Sequence, residues 1–210
     1  MNSILISFEG PEGSGKTTIV QKIKPELEKY REVLLTREPG GEPIAEELRS
    51  IIMDTKNTQL DSETEMLLFA AARRLHMNER VKPALVEGKI VILDRFIDSS
   101  VAYQGYAGGI GIENVKWLNH FATDGLLPDL TFYFDLEAEE GLKRIMASEE
   151  REKTRLDLAS LDYHNKVVKA YRKLSKENTR FVKIDASQSI EEVTKLVLDK
   201  LFQKYPEIFK

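Results

Sequence analysis

The stretch Ile4-Leu5-Ile6-Ser7-Phe8-Glu9-Gly10-Pro11-Glu12-Gly13-Ser14-Gly15-Lys16-Thr17 decides how this chain reads. Its first part is a short apolar run of strand length, built from branched and aromatic residues. Its second part, Gly10 to Thr17, fits G-x-x-x-x-G-K-[ST] without a gap, and a segment of helical spacing, Thr17 to Tyr30, follows. Strand, glycine loop and helix in that order make a phosphate cradle. The glycines let successive backbone amides turn inward, and the helix N-terminus adds partial positive charge. Lys16 neutralises the outer phosphates, and the Thr17 hydroxyl suits magnesium. Gly10, Pro11, Glu12, Gly13, Ser14, Gly15, Lys16, Thr17 and Thr18 are therefore the candidate residues for binding a nucleotide's phosphates.

Working outward, further strand-like runs lie at Val33 to Thr36, Ile90 to Leu93, Leu130 to Leu136 and Phe181 to Ile184. Between them are segments with helical apolar spacing: Glu63 to Val86, Ile112 to Thr123, Ala138 to Met146, Leu161 to Lys176 and Ile190 to Phe202. Such alternation implies an α/β fold with a five-stranded parallel sheet and helices on both faces, its ligands gathered beyond the carboxyl ends of the strands. Pro25 falls inside the first helical segment and removes an interior amide, so a kink or early stop is expected there. Without an internal repeat, a low-complexity tract or a Pro/Gly-rich linker, residues 1–210 read as a single domain.

Composition narrows the chemistry. With 31 Lys and Arg against 35 Asp and Glu, the formal charge is -4. No global basic field exists to hold a nucleic-acid backbone, so no nucleic-acid partner is expected and phosphate chemistry must be local. The absence of cysteine excludes disulfides, thiolate metal sites and cysteine nucleophiles, and points to a reducing, cytoplasmic home. No apolar run approaches the roughly 20 residues of a membrane span, so no membrane partner is expected. His76, His120 and His164 lack paired metal spacing and read as structural, and Trp117 with Phe121 reads as helix packing.

Asp94 stands at the end of the strand Ile90 to Leu93, where a carboxylate can hold magnesium or its waters, or can cap the next segment. On the helix near Ser62, Phe69 and Arg73 are four apart and share a face. They serve equally as a base-stacking ring beside a hydrogen-bonding cation or as a core aromatic beside a solvated arginine. Ser100 and Gln104 share a face in the same way if the chain after Asp98 is helical.

Four clusters narrow the reading: Phe8-Glu9-Gly10, Thr36-Arg37-Glu38-Pro39-Gly40-Gly41, Leu68-Phe69-Ala70-Ala71-Ala72-Arg73-Arg74, and the run from Asp94-Arg95-Phe96 through Tyr103-Gln104-Gly105. Together they resemble thymidylate kinase of the bacterial type, essentially end to end. The resemblance implies a P-loop NTPase fold of the nucleoside-monophosphate-kinase kind and transfer of the terminal phosphoryl of MgATP to dTMP, giving dTDP. It implies Mg2+ as cofactor, held by Thr17 and Asp94, and a homodimer as the assembly. It assigns dTMP to Glu12, Arg37, Phe69, Arg73, Arg95, Ser100, Tyr103 and Gln104. Within that set Tyr103 packs on the deoxyribose, Glu12 accepts from the 3'-hydroxyl, and Arg37 and Arg95 hold the monophosphate. Lys16, Arg95 and Glu12 carry the chemistry. The resemblance also makes the charged segment at about 147–160 a mobile lid. Because the loop from Gly10 to Gly15 contains no arginine, the lid supplies one, with Arg151 and Arg155 as candidates. Asp185 to Gln188 is expected near the adenine. Phe96 and Leu75 depart from the family pattern, where Tyr or His and an acidic residue are common.

Two other readings stand beside this one. A kinase for a different nucleoside or nucleoside monophosphate separates at Phe69, Arg73, Ser100 and Gln104. A guanine-selective switch needs N-K-x-D, and here Asn165-Lys166 is followed by Val167-Val168.

Overall fold

A computed structural model describes residues 3–147 and 153–210. Its parallel five-stranded sheet comprises β1 (Ile4–Glu9), β2 (Val33–Arg37), β3 (Ile90–Asp94), β4 (Leu130–Asp135) and β5 (Phe181–Asp185), in the order β2-β3-β1-β4-β5. All five strands fall where the apolar runs lie: the central β1, β3 and β4 are almost wholly buried in the helix-flanked sheet, while β2 and β5 form its partly covered edges.

The helices among the described residues are α1 (Lys16–Leu27), α2 (Pro43–Met53), α3 (Ser62–His76), α4 (Lys82–Val86), α5 (Ile97–Ser100), α6 (Ile112–Thr123), α7 (Ala138–Ala147), α8 (Leu161–Glu177) and α9 (Ile190–Lys204). Helix α1 passes through Pro25 and ends two residues later, short of Tyr30. The segment Glu63 to Val86 is interrupted by a wide π turn at Met77–Val81, just before Pro83 opens α4. A second π turn, Val101–Ala107, continues α5 and carries Tyr103 and Gln104. The chain after Asp98 is thus helical, with a wider pitch from Val101 onward. Such turns concentrate at functional sites.

One face of the sheet packs Ile4, Ile6, Phe8, Phe132 and Phe134 against Ile19 and Ile23 of α1 and Val193 and Val197 of α9. The other face packs Leu5, Val91 and Leu93 beneath Met77, Val81 and Ala84. Register sets the site: Phe8 lies opposite Asp94, and Asp94 opposite Arg37, so three strand ends finish level beneath one cleft.

Trp117 and Phe121 correct an expectation. They stack on each other with ring centroids 6.1 Å apart, yet each is 69% exposed. Helix α6 turns Val115, Asn119 and Ala122 inward, which leaves 117 and 121 on its outer side. No described helix is long and apolar enough to cross a membrane.

Candidate active site

Over the carboxyl ends of β1, β2 and β3 opens a cleft of about 530 Å³. In an open parallel sheet this is the expected ligand crevice, since the chain crosses from one side of β1 to the other between β3 and β4. Glu12, Lys16, Thr17, Arg37, Phe69, Arg73, Asp94, Arg95, Ser100, Tyr103 and Gln104 all line it.

At its floor, buried Lys16 donates from Nζ to the carbonyls of Gly10 (3.1 Å) and Pro11 (2.8 Å) and to Ser14 Oγ (3.0 Å). Burial, reinforced by the nearby Arg95 guanidinium, brings its pKa down to about 7. An anion over the loop would restore the ammonium. Gly13 has φ +70°, and a β-carbon there would collide with the backbone of Gly141 on α7, so glycine is required by both conformation and space.

Thr17 Oγ1 donates to Asp94 Oδ2 at 2.5 Å. This contact brings together the two residues expected to hold magnesium. The N-cap of α5 is Phe96, and no side chain caps that helix, so the capping alternative for Asp94 falls away. Hydroxyl and carboxylate oxygens form a hard donor set that fits Mg2+. The described residues contain no group of three or more His, Cys, Asp or Glu able to cage a metal.

Arg95 sits at φ 71°, a left-handed conformation unusual outside glycine. The turn is held by its own amide, which donates to Phe8 O at 3.0 Å. Its guanidinium donates to Gly10 O (3.0 Å) and Glu12 Oε1 (2.7 Å) and lies over the Tyr103 ring, 5.1 Å from the centroid. Tyr103 also donates to Glu12 Oε1, at 3.1 Å. Three residues expected around the sugar and monophosphate thus form one contact set. Arg37 is exposed at the rim and bonds Glu46 at 3.1 Å.

Arg73 is buried, against the solvated alternative. It donates from Nε to Glu38 Oε2 at 2.6 Å and through the other nitrogens to Asn119 Oδ1 (2.5 Å) and Ser100 Oγ (3.1 Å). Phe69, one turn earlier, is 8% exposed and packs with Ile52 and Leu156.

Several contributors escaped sequence reading. Fully buried Glu9 accepts from the Phe96 amide (2.8 Å), Ser99 Oγ (2.6 Å) and Tyr171 OH (2.9 Å), pinning the turn that presents Arg95. Burial, then the nearby Asp98 carboxylate, pushes its pKa up to about 7. Glu38 joins Arg73 to His76, which bonds Thr36 at 2.8 Å, so His76 is structural as expected. A carboxylate ending an apolar strand was the available signal for Glu9, and Glu38 was visible inside Thr-Arg-Glu-Pro.

The lid is described only in part. Arg151 lies outside the described residues. Arg155 sits in a turn and donates to Glu65 Oε2 and, at 3.2 Å, to Ile52 O, away from the phosphate loop. A buried carboxylate facing the lid is a stronger partner than solvent. Asp185 accepts from Ser187 and Gln188 in a local turn, tied to the cleft residue Arg144 through Ala186 O at 3.1 Å.

The family model for thymidylate kinase matches residues 8–197. A crystal structure of thymidylate kinase from Ehrlichia chaffeensis superposes with a TM-score of 0.78 at 34% identity, covering 96% of this chain and 99% of that one.

Proposed function

The chain belongs to the thymidylate kinase family, whose reaction is phosphoryl transfer to dTMP giving dTDP, and from that premise we propose how its side chains divide the work. ATP occupies the loop from Gly10 to Thr18, its outer phosphates met by the amides and by Lys16. Little covalent chemistry falls to the protein in such transfers, so positioning and charge stabilisation dominate. Thr17 and Asp94 would hold Mg2+, which when bound draws charge from the phosphate oxygens.

The acceptor lies across the cleft. Phe69 stacks on the thymine, Arg73 with Ser100 and Gln104 meets its polar edge, and Tyr103 packs on the sugar beside Glu12, which accepts from the 3'-hydroxyl. Arg37 and Arg95 hold the monophosphate, a task the guanidinium fork suits. Arg95, reaching both Glu12 and the Gly10 carbonyl, stands between the two substrates and bears on the charge that develops during transfer. Arg151 and Arg155 supply the lid's cation on closure, which for Arg155 means leaving Glu65. Asp185 to Gln188 borders the adenine. The assembly is a homodimer joined through helices, and the whole of residues 1–210 acts as one domain with its lid at about 147–160.

The observation that carries this reading is the convergence of Lys16, Thr17, Asp94, Arg95, Phe69 and Gln104 on one cleft. Calorimetry on Phe69→Ala tests it. Loss of a ring stacked on a base weakens dTMP binding by about 1 to 3 kcal/mol and leaves ATP nearly unchanged. Equal weakening of both substrates would make Phe69 a core residue and remove the base site from this wall.

A further inference from the structure

We propose that Glu65 is a positioning residue that decides which end of the Gln104 carboxamide meets the base, and thereby selects pyrimidines with an N–H at ring position 3. The proposal rests on Gln104 contacting the base, as read above.

Gln104 and Glu65 are both buried, at 2% and 5% exposure, and Gln104 Nε2 donates to Glu65 Oε1 at 2.6 Å. The other oxygen of Glu65 accepts from Arg155 Nη2. Arg155 is itself tied to α2, by Nε to Ile52 O (3.2 Å) and by its backbone amide to Met53 O (3.1 Å). The carboxylate is therefore held from two sides.

A carboxylate accepts and cannot donate, whereas a carboxamide has one end of each kind. With its NH2 end bound to Glu65, Gln104 must turn its oxygen elsewhere, and its side chain lines the cleft with Phe69 and Arg73. Uracil-type rings carry an N–H at position 3 between two carbonyls, which satisfies that oxygen. Cytosine carries a bare nitrogen there, so two acceptors would face each other in a dry pocket. Unpaired buried polar atoms cost far more than a mere missing contact, and sites of this kind reject mismatched analogues by large factors. The thymine methyl group plays no part in this pairing, so dTMP and dUMP pass it alike.

Replacing the carboxylate with a group that both donates and accepts frees the amide to turn over. In Glu65→Gln the new carboxamide keeps its oxygen on Arg155 and turns its NH2 toward Gln104, so the Gln104 carboxamide stays paired only by turning over, with size and shape preserved. The experiment measures dissociation constants of dTMP, dUMP and dCMP for the wild type, Glu65→Gln, Glu65→Asp and Gln104→Ala. In Glu65→Gln the preference for dTMP over dCMP falls by roughly tenfold or more, while dTMP against dUMP stays constant. Glu65→Asp, still acceptor-only, keeps the preference. Should Glu65→Gln not fold, Glu65→Met, of similar length but with no carboxylate to hold the NH2 end, also leaves Gln104 able to turn over and lowers the dTMP-to-dCMP preference. A purely structural role would weaken all three ligands together and leave the ratios intact, overturning the proposal. If Gln104→Ala lowers the dCMP discrimination and Glu65→Gln does not, the positioning role fails while the base reading stands. If Gln104→Ala leaves discrimination unchanged, the base reading itself fails and takes the proposal with it.

Discussion

Lys16 shows how one side chain links burial to catalysis. Its ammonium is drawn into the loop by three oxygens, while burial and Arg95 lower its pKa from 10.5 to about 7. Phosphates favour the charged form, so nucleotide binding raises the pKa again. Between the two values the free protein holds fewer protons than the complex. ATP binding at about pH 8 should therefore take up close to one proton, and affinity should decline as pH rises above about 7. Calorimetry in buffers of different ionisation enthalpy measures the uptake directly. Lys16→Ala should abolish it and lower turnover by roughly a hundredfold or more while the far-ultraviolet dichroism persists. Uptake unchanged in that variant would assign the proton to another group.

At the scale of the element, the phosphate loop is shaped by a helix distant in sequence. Helix α7 runs its backbone so close to the loop that a β-carbon on Gly141 would collide with the Glu12 carbonyl, as one on Gly13 would with Gly141. On an exposed helix, Gly→Ala stabilises by about 0.5 to 1 kcal/mol. Here the sign reverses, because the rigid neighbour is backbone. Gly141→Ala should displace the loop, weakening ATP by roughly tenfold or more and dTMP much less. Thermal unfolding paired with nucleotide titration checks it, and a stabilised variant with normal ATP affinity would show that the loop yields without consequence. The π turn at Val101–Ala107 makes the same point about elements. The four-residue spacing of Ser100 and Gln104 puts them on one face only if the chain there is helical, and the hydrogen-bond pitch depends on what the turn packs against.

For the molecule as a whole, the layer formed by α2, α3 and α6 presents Ile44, Ile51, Leu67, Trp117 and Phe121 at 45% to 69% exposure. Helices α2 and α3 pack together, as do α3 and α6, so these residues belong to one continuous layer. Apolar side chains of this size along adjoining helices mark an interaction surface. If the homodimer forms through it, sedimentation at micromolar concentration gives a dimer, and Trp117→Glu with Phe121→Glu shifts the equilibrium to monomer without loss of helicity. A wild-type monomer would remove the homodimer, and an undisturbed double variant would move its contact elsewhere.

Sequence by itself determined the five strands, the phosphate cradle and its lysine, and the carboxylate at the end of β3. Each is written in contiguous residues whose local chemistry leaves little choice: apolar runs must be covered, and a glycine loop before a helix turns its amides inward. The family resemblance added the roles around dTMP. Only the tertiary structure decided the state of residues whose partners are remote in sequence. Arg73 is buried because Glu38, Asn119 and Ser100 come to it from three other segments. Arg155 bonds Glu65 instead of facing the phosphate loop, and Trp117 faces outward because α6 needs its other side for the core. Burial and the nearby Asp98 carboxylate push the Glu9 pKa up to about 7, and the donors that satisfy it, from Phe96, Ser99 and Tyr171, come from remote segments. A buried polar group is settled by what the fold brings within hydrogen-bond reach, and that distance cannot be read along the chain.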